Sequence, residues 1–561
     1  MKDIDCLFIG HNEMDFGEFE RTVRKMGVDS GAYRDLNLNF VRYENKPYSL
    51  PDFYNLLLTR DNPVLSSGTR NTLNLGETFS AAVAYLGTYL HRRGFTFDYV
   101  NSFQDRKPVL AEKLSRQNIR IVAIPTTLYV TALPIIEIVE FVKKYNPDVP
   151  IVIGGPFVST QVRTLDAAGL EYLFQSIGAD YYVNSSQGES ALVSLLHALK
   201  NNRPVSGVNN LYYKTGAGYA AAAMVPENNM LSQNMVDWSL FRADAGEYVN
   251  VRTAISCPFS CAFCGFPEHA GKYQTTTAGE IEAELNRLAE IPTVRSIHFI
   301  DDTFNVPVKR FKEILRMLVR NKYAFKWHSH FRCQFADREM VELMKESGCE
   351  GVFLGLESGS PTILQNMNKA ASIEKYHEGI ALLKEYDITV FASFIIGFPG
   401  ETLDTVKDTI RLIETDGIDF YRAQSWYCES ITPIFRQGEK YGIKGENFEW
   451  SHDTMDSKTA SQLVTQIFQT VDTAVWTPQY NFDFDSLFHL FHRGMTVPQV
   501  KEFLTAFNRG VREKLSSAGG NVSLDVIKQL LAAGQALETQ PDPLEIGGGE
   551  DLRNMEVEFD F

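Results

Sequence analysis

Cys257, Cys261 and Cys264 lie in the run Ile255-Ser-Cys-Pro-Phe-Ser-Cys-Ala-Phe-Cys-Gly-Phe-Pro267, a C-x3-C-x2-C spacing on a short loop bearing Pro, Ser and Gly. Three thiolates so placed suit an iron–sulfur cube. A [4Fe–4S] cluster ordinarily takes four cysteine ligands, so three with no evident fourth leave one iron open to an exogenous ligand. A zinc knuckle is the competing reading, but closed zinc sites want four ligands in paired Cys or Cys/His clusters. Around the nearest histidine, His269, there is no second pair. Cys6, Cys333, Cys349 and Cys428 are scattered, so the seven cysteines make no disulfide framework, and a reducing cytosol keeps them as thiols.

Other polar groups gather where strands should end. Arg295 to Ile300 reads as a strand closing on Asp301 and Asp302, a pair suited either to accepting hydrogen bonds from a cofactor or to capping a helix. Phe325 to Phe331 alternates polar and apolar residues, with His328, His330 and then Arg332 on one parity; interior packing and a site role both fit. Gly351 to Ser360 is a buried-type strand with one carboxylate, Glu357, whose burial is costly unless paired. Val390 to Ile396 ends in Gly397-Phe-Pro-Gly-Glu401, and Asp419 to Trp426 carries Arg422 as a sixth strand. Tyr427 to Phe435 and Phe448 to Met455, which includes His452, are loops able to close over a site or simply to pack on the surface.

The elements that must position these groups alternate. Before the cysteines come strand Ile4–Ile9, helix Phe79–Arg93 stopping at Gly94, strand Phe95–Val100, strand Ile119–Ile124, helix Leu133–Tyr145, strand Val149–Ile153 and strand Tyr181–Val183. This order predicts a doubly wound parallel sheet covered on both faces, with ligands at the carboxyl strand ends Thr126-Thr127-Leu128-Tyr129, Gly154-Gly155-Pro156 and Gln187-Gly188-Glu189. No G-x-G-x-x-G follows any strand, which speaks against a nicotinamide site. Residues 14–74 show little periodicity and read as a cover over cofactor or substrate. After the cysteines, Ala278–Ala289 is an amphipathic helix. Met455 to Trp476, Val497–Leu515 and Leu524–Leu531 have helical period, and the acidic, Gly-rich tail from Gln540 reads as mobile.

The chain has 561 residues, 44% hydrophobic, and carries 54 basic against 70 acidic residues for a net charge of −16. That balance argues against nucleic-acid binding. No apolar stretch long enough for a membrane span and no basic-then-apolar leader is present, so a cytoplasmic protein is expected. The expected division is a first domain over 1–225, a linker over 226–249, a second domain over 250–435 and a mainly helical capping region over 436–561.

The cysteine loop, with aromatic Phe263 before its last cysteine, resembles the radical S-adenosylmethionine (SAM) superfamily, in which SAM chelates the open iron and is cleaved to a 5′-deoxyadenosyl radical. The resemblance implies a partial (β/α)6 TIM-like barrel over roughly Asn250 to Ser430, with the catalytic face at its carboxyl ends. It makes Cys257, Cys261 and Cys264 the cluster ligands and puts Phe263, Asp301, Asp302, Glu357, Gly397 and Glu401 at SAM. Upstream, the helix bearing Ala-Tyr-Leu, the Pro-Asp-Val-Pro-Ile-Val-Ile-Gly-Gly-Pro run and the Gly-Ala-Asp-Tyr-Tyr-Val…Gly-Glu-Ser run resemble the Rossmann-like cobalamin-binding domain that precedes many such enzymes. That implies cobalamin against Thr126, Thr127, Leu128, Tyr129, Gly154, Gly155, Pro156, Gly188 and Glu189. The Asp-x-His-x-x-Gly motif that ligates cobalt from below in other B12 proteins is absent, and His11 lies in Gly-His-Asn-Glu instead. A lower face without that histidine should favour methyl donation as a radical.

Together the resemblances imply a class B type radical SAM methyltransferase. It would use a [4Fe–4S] cluster, SAM and methylcobalamin on a free or carrier-bound natural-product intermediate, with flavodoxin or ferredoxin as electron donor. The acceptor is an unactivated carbon or a phosphinate phosphorus, since the Thr-Pro-Ile-Phe, Trp-Ser-His-Asp-Thr-Met and Phe-Ile-Gly-His-Asn-Glu-Met-Asp-Phe segments resemble the branch that methylates phosphorus in phosphinothricin-type antibiotic assembly. Substrate-side candidates are His328, His330, Arg332, Arg422, Tyr427 and His452. The alternatives are a non-methylating rearrangement or redox step and a silent sensor of SAM or cobalamin.

Overall fold

Cys-Leu-Phe-Ile-Gly-His is buried almost throughout, as a strand covered on both faces must be. In the computed structural model, which describes residues 3–61, 73, 78–516 and 520–537, it forms β1 (Cys6–His11). Beside it lie β2 (Phe97–Ser102), β3 (Val122–Pro125), β4 (Ile151–Gly154), β5 (Tyr181–Val183), β6 (Leu211–Thr215) and β7 (Gly218–Ala221) in the order β7-β6-β5-β4-β3-β1-β2. β1 to β5 are parallel and β6 joins antiparallel to β5. Side chains alternate across the sheet. Leu7, Ile9, Val122 and Ile124 enter a core of this domain's own, while Cys6, Phe8, Ala123 and Val152 enter the large core shared with the rest of the chain.

The second sheet is parallel throughout and runs in chain order: β8 (Tyr248–Val251), β9 (Ser296–Phe299), β10 (Lys326–Phe331), β11 (Cys349–Glu357), β12 (Thr389–Ile396), β13 (Phe420–Ser425) and β14 (Val475–Trp476). It has seven strands where six were expected. The seventh comes from the region read as helical up to Trp476, where the helix ends at Thr470 and two residues pair with Phe420 and Tyr421. Aromatics on one parity, such as Phe299, Trp327 and Phe331, pack outward on Phe304 and Phe311. The other parity faces the barrel interior: His330 packs on His298 and Phe353, and His298, His328, Phe353 and Phe391 meet Phe484 or Phe488. Those two rings belong to the helix Phe484–His492, which lies across the interior.

Phe448 to Met455, expected to be loop, lies within a three-stranded antiparallel sheet over 444–456, while Val497–Ser516 and Leu524–Gly534 are helices. The described part of 14–74 forms helices Phe16–Lys25, Gly31–Leu36 and Leu50–Asp61 with the hairpin 41–48. Tyr54 donates to the Gly534 carbonyl at 3.1 Å, and the Lys514 ammonium donates to the Asn37 and Phe40 carbonyls, so this segment is clamped to the carboxyl-terminal helices. The rest of 14–74 and the tail from Gln540 lie outside the described residues. Among the described residues no helix is long and apolar enough to cross a membrane.

Candidate active site

The cysteine loop leaves β8 through a turn built on Asp301. One carboxylate oxygen accepts from the Thr253 amide at 2.7 Å and the Ala254 amide at 2.9 Å, and the other from the Thr253 hydroxyl. Both oxygens are therefore committed to the loop, which corrects the assignment of Asp301 to SAM. Ser256, just before Cys257, has φ +66°, a region a non-glycine residue enters only under local constraint. The Arg332 guanidinium, stacked 3.6 Å over Phe259, donates to Cys261 Sγ at 3.1 Å and to the Lys369 carbonyl at 2.9 Å. It thus props the cluster loop. Burial, aided by the charges of Cys261, Asp302 and Cys257, pushes the Cys264 thiol up to about 12. A thiolate at Cys264 therefore needs a cationic centre, and with Cys257 and Cys261 on the same loop the donor set fits the iron–sulfur cluster.

Asp302 opens onto a cavity, and burial together with the Asp301 charge pushes its carboxyl up to about 7. The cavity, about 420 Å³, is walled on one side by Thr127, Gly154, Gly155, Pro156, Gly188 and Glu189, and on the other by Asn250, Arg252 and Ile255-Ser256 of the cluster approach. Four of its lining residues carry a buried atom with no partner: Tyr85 Oη, Asn250 Oδ1, Arg252 Nη2 and His269 Nδ1. Buried polar atoms are ordinarily hydrogen-bonded, so these fit a ligand fringed with amides, as cobalamin is. Gly155 has φ +117°, and a Cβ there would stand 2.8 Å from Thr126 Oγ1, so the wall at the end of β4 requires glycine.

Of the four residues named after β3, Thr127 lines this cavity and the others do not. Thr126 is buried, donating to the Gly154 carbonyl at 2.9 Å. Tyr129 turns under the sheet, where its hydroxyl accepts from the Asn12 amide at 2.7 Å, and Leu128 is 68% exposed. The cause is a tight turn in which successive side chains diverge.

The remaining candidates separate by level along the barrel. Glu357, at φ +68° beside a register shift in β11, pairs with Lys369 at 3.0 Å, and the Lys369 ammonium lies 5.4 Å from the centre of the Phe263 ring. Glu401 is fully buried and accepts from the Gly397 amide; His452 Nε2 meets the Gly397 carbonyl at 2.9 Å, and its ring stacks on Trp450. Both hold the turn after β12; His452 meets the Thr454 amide and hydroxyl through its other ring nitrogen, which corrects its placement on the substrate side, whereas Glu401 Oε1 is buried without a partner. Tyr427 packs against Phe448 and is 43% exposed. Arg422 is buried, bonded to Gln479, with Asp35 at 4.0 Å. His328 and His330 lie deeper, where burial lowers the first to about 4 and the second to about 3. With them stand His298 and Asp485, which local pattern did not mark.

A B12 binding domain model matches residues 75–183, and a Radical SAM superfamily model matches residues 252–413. The chain is 27% identical over 290 residues to an uncharacterized methyltransferase of Pyrococcus horikoshii, covering 50% of this chain and 61% of that protein. It is 26% identical over 396 residues to the anaerobic magnesium-protoporphyrin IX monomethyl ester cyclase of Rubrivivax gelatinosus, covering 66% of this chain and 67% of that one. The chain thus spans less than two thirds of the Pyrococcus relative. Its fold is similar to the radical SAM methyltransferase TsrM of Kitasatospora setae, solved with cobalamin and a [4Fe–4S] cluster, at TM-score 0.53 and 20% identity over 64% of this chain and 74% of that one. Matched in this order, with their loops walling one cavity, the two models give the chain a B12 binding domain followed by a Radical SAM domain, a pairing whose cofactors are a [4Fe–4S] cluster, SAM and cobalamin.

Proposed function

We propose that this protein is a radical SAM methyltransferase that methylates an unactivated carbon of a small or carrier-bound intermediate. The observation that carries the reading is the single cavity lined both by the cobalamin-side loops after β3, β4 and β5 and by Ser256 and Asp302 beside the cluster cysteines. When bound, the cluster with SAM supplies a hydrogen-abstracting organic radical and cobalamin supplies a methyl group. The chain's part is placement. Asp301 and Arg332 fix the cysteine loop from either side, Gly155 lets the β4 turn approach closely, and the helix Phe484–His492 fills the far end of the barrel. Rigid positioning of both reactants around one acceptor is worth several kcal/mol of barrier.

Carbon is favoured over a phosphinate by the charges of the interior. Burial keeps His328 and His330 neutral, Arg422 faces Asp35, and Arg332 is engaged by Cys261 and the Lys369 carbonyl, so none of these four side chains offers an uncommitted positive charge. The relative from Rubrivivax is named a cyclase, which supports keeping the non-methylating reading as the alternative. The test is reconstituted full-length protein, a low-potential donor of the flavodoxin or ferredoxin type, and SAM labelled in its methyl group, offered to candidate acceptors. Labelled methyl in the product together with 5′-deoxyadenosine is expected; 5′-deoxyadenosine with an unlabelled, rearranged product would overturn methyl transfer.

A further inference from the structure

Deep in the barrel, below the cluster and away from the cobalamin-side cavity, His298 of β9, His328 of β10 and Asp485 of the crossing helix converge. One donor atom from each lies within 4.8 Å of the others, the one such group of His, Cys, Asp or Glu among the described residues. Asp485 Oδ1 is 3.0 Å from His298 Nδ1 and 3.1 Å from His328 Nε2. We propose that these three residues bind a divalent first-row metal ion, with Zn²⁺ as the reference case.

The donor set is two imidazoles and one carboxylate, which zinc takes at about 2.0–2.2 Å. Two ligands on a tetrahedral ion at that range stand roughly 3.3–3.6 Å apart, so both Asp485-to-histidine contacts need to open only by a few tenths of an ångström to admit the ion. All three donors are held in place. The Asp483 side chain caps the helix through Ser486, which sets Asp485 in its first turn. His328 stacks on Phe488 at 3.9 Å, with Ser296 Oγ 3.3 Å from its Nδ1. The distal nitrogen of a metal-bound imidazole is commonly held this way. His298 stacks on His328, and its Nε2 is buried without a partner, so the ring is oriented by what meets Nδ1.

Charge favours a cation here. Asp485 is largely enclosed while Asp483 beside it is exposed, and among the described residues no Lys or Arg forms an ion pair with either. An enclosed carboxylate without a fixed counter-charge is costly, and a divalent ion on Asp485 offsets it. Three protein ligands leave a coordination position for water or for an oxygen or nitrogen of a substrate. The ion would also fasten the helix across the interior to β9 and β10.

The site is independent of the methyl-transfer reading and is tested without it. Full-length protein with Cys257, Cys261 and Cys264 replaced by alanine, which removes the thiolate donors, is stripped with chelator and titrated with Zn²⁺ against a chromophoric competitor. One equivalent is expected to bind. Asp485→Asn and His298→Gln in that background are each expected to weaken binding by more than the ~10–100-fold that loss of an outer-shell partner costs. His492→Gln, whose parent ring pairs with Glu350 at 2.8 Å, keeps parental affinity. Circular dichroism selects the folded variants, and His298→Gln decides if Asp485→Asn does not fold. No bound zinc in the parent, or parental affinity in the folded ligand variant, overturns the proposal and leaves the trio as a hydrogen-bond network.

Discussion

Glu284 offers a test with a calculable size and sign. It sits in the middle of the helix Ala278–Ala289, buried, accepting from Trp238 Nε1 at 2.9 Å, and it lines the cavity assigned to cobalamin. Burial pushes its carboxyl from 4.5 up to about 7, although the Trp238 bond and the Arg287, Arg252 and Arg92 charges pull the other way. A group whose folded value is raised favours folding in its protonated form. The benefit is complete below the unfolded value near 4.5 and is lost as pH climbs through about 7. At pH 8 the wild type therefore carries an ionisation cost on the order of 3 kcal/mol, from about 1.4 kcal/mol per unit. Glu284→Gln keeps a carbonyl for Trp238 but has no proton to lose. In paired urea titrations of the cofactor-free protein, the variant should match the wild type at pH 5 and exceed it by about 2–3 kcal/mol at pH 8. A stability difference that stays the same at both pH values would refute the assignment of a buried, proton-holding carboxyl.

Two further substitutions probe the cavity wall and the barrel top. Gly155→Ala must accommodate a Cβ 2.8 Å from Thr126 Oγ1 at φ +117°. Strain of about 1–3 kcal/mol should cut corrinoid affinity roughly tenfold or more, read by visible absorption after gel filtration. Gly216→Ala, whose Cβ meets nothing within 4 Å, is the control; equal retention by both would contradict the placement of cobalamin. Lys369→Met leaves Glu357 enclosed without its 3.0 Å partner and should destabilise by about 3–5 kcal/mol. Adding Glu357→Leu should restore most of that loss in thermal melts, and a single-variant cost below about 1 kcal/mol would mean the pair is effectively solvated.

What could be read from sequence was local. Three cysteines within eight residues, and strands whose buried runs end in Gly, Asp or Thr, announce their role within a single window. The parallel sheet and the barrel followed because period-2 and period-3.6 patterns alternate along the chain. β14 escaped because two residues, Val475 and Trp476, are too few to show a period; their strand state comes from pairing with β13. Glu401 looked ligand-facing because it closes a glycine-bearing strand end, and His452 because it lies in a segment read as a loop able to close over the site. Their true targets are the Gly397 amide and carbonyl, a choice made by the backbone path rather than by residue type. The hardest feature to foresee is the His298–Asp485 contact, which joins residues 187 positions apart. His298 could have been flagged as a polar side chain on the parity of β9 that aligns with His328 in the parallel register. Asp485 could not, because its helix reads as an ordinary apolar segment until the barrel is assembled around it. The interior of a barrel is composed from every strand at once, so the residues that meet there are set by register and closure. Motif reading can locate the cofactor loops of such an enzyme, but the groups that would select its substrate emerge only when the strands are laid side by side.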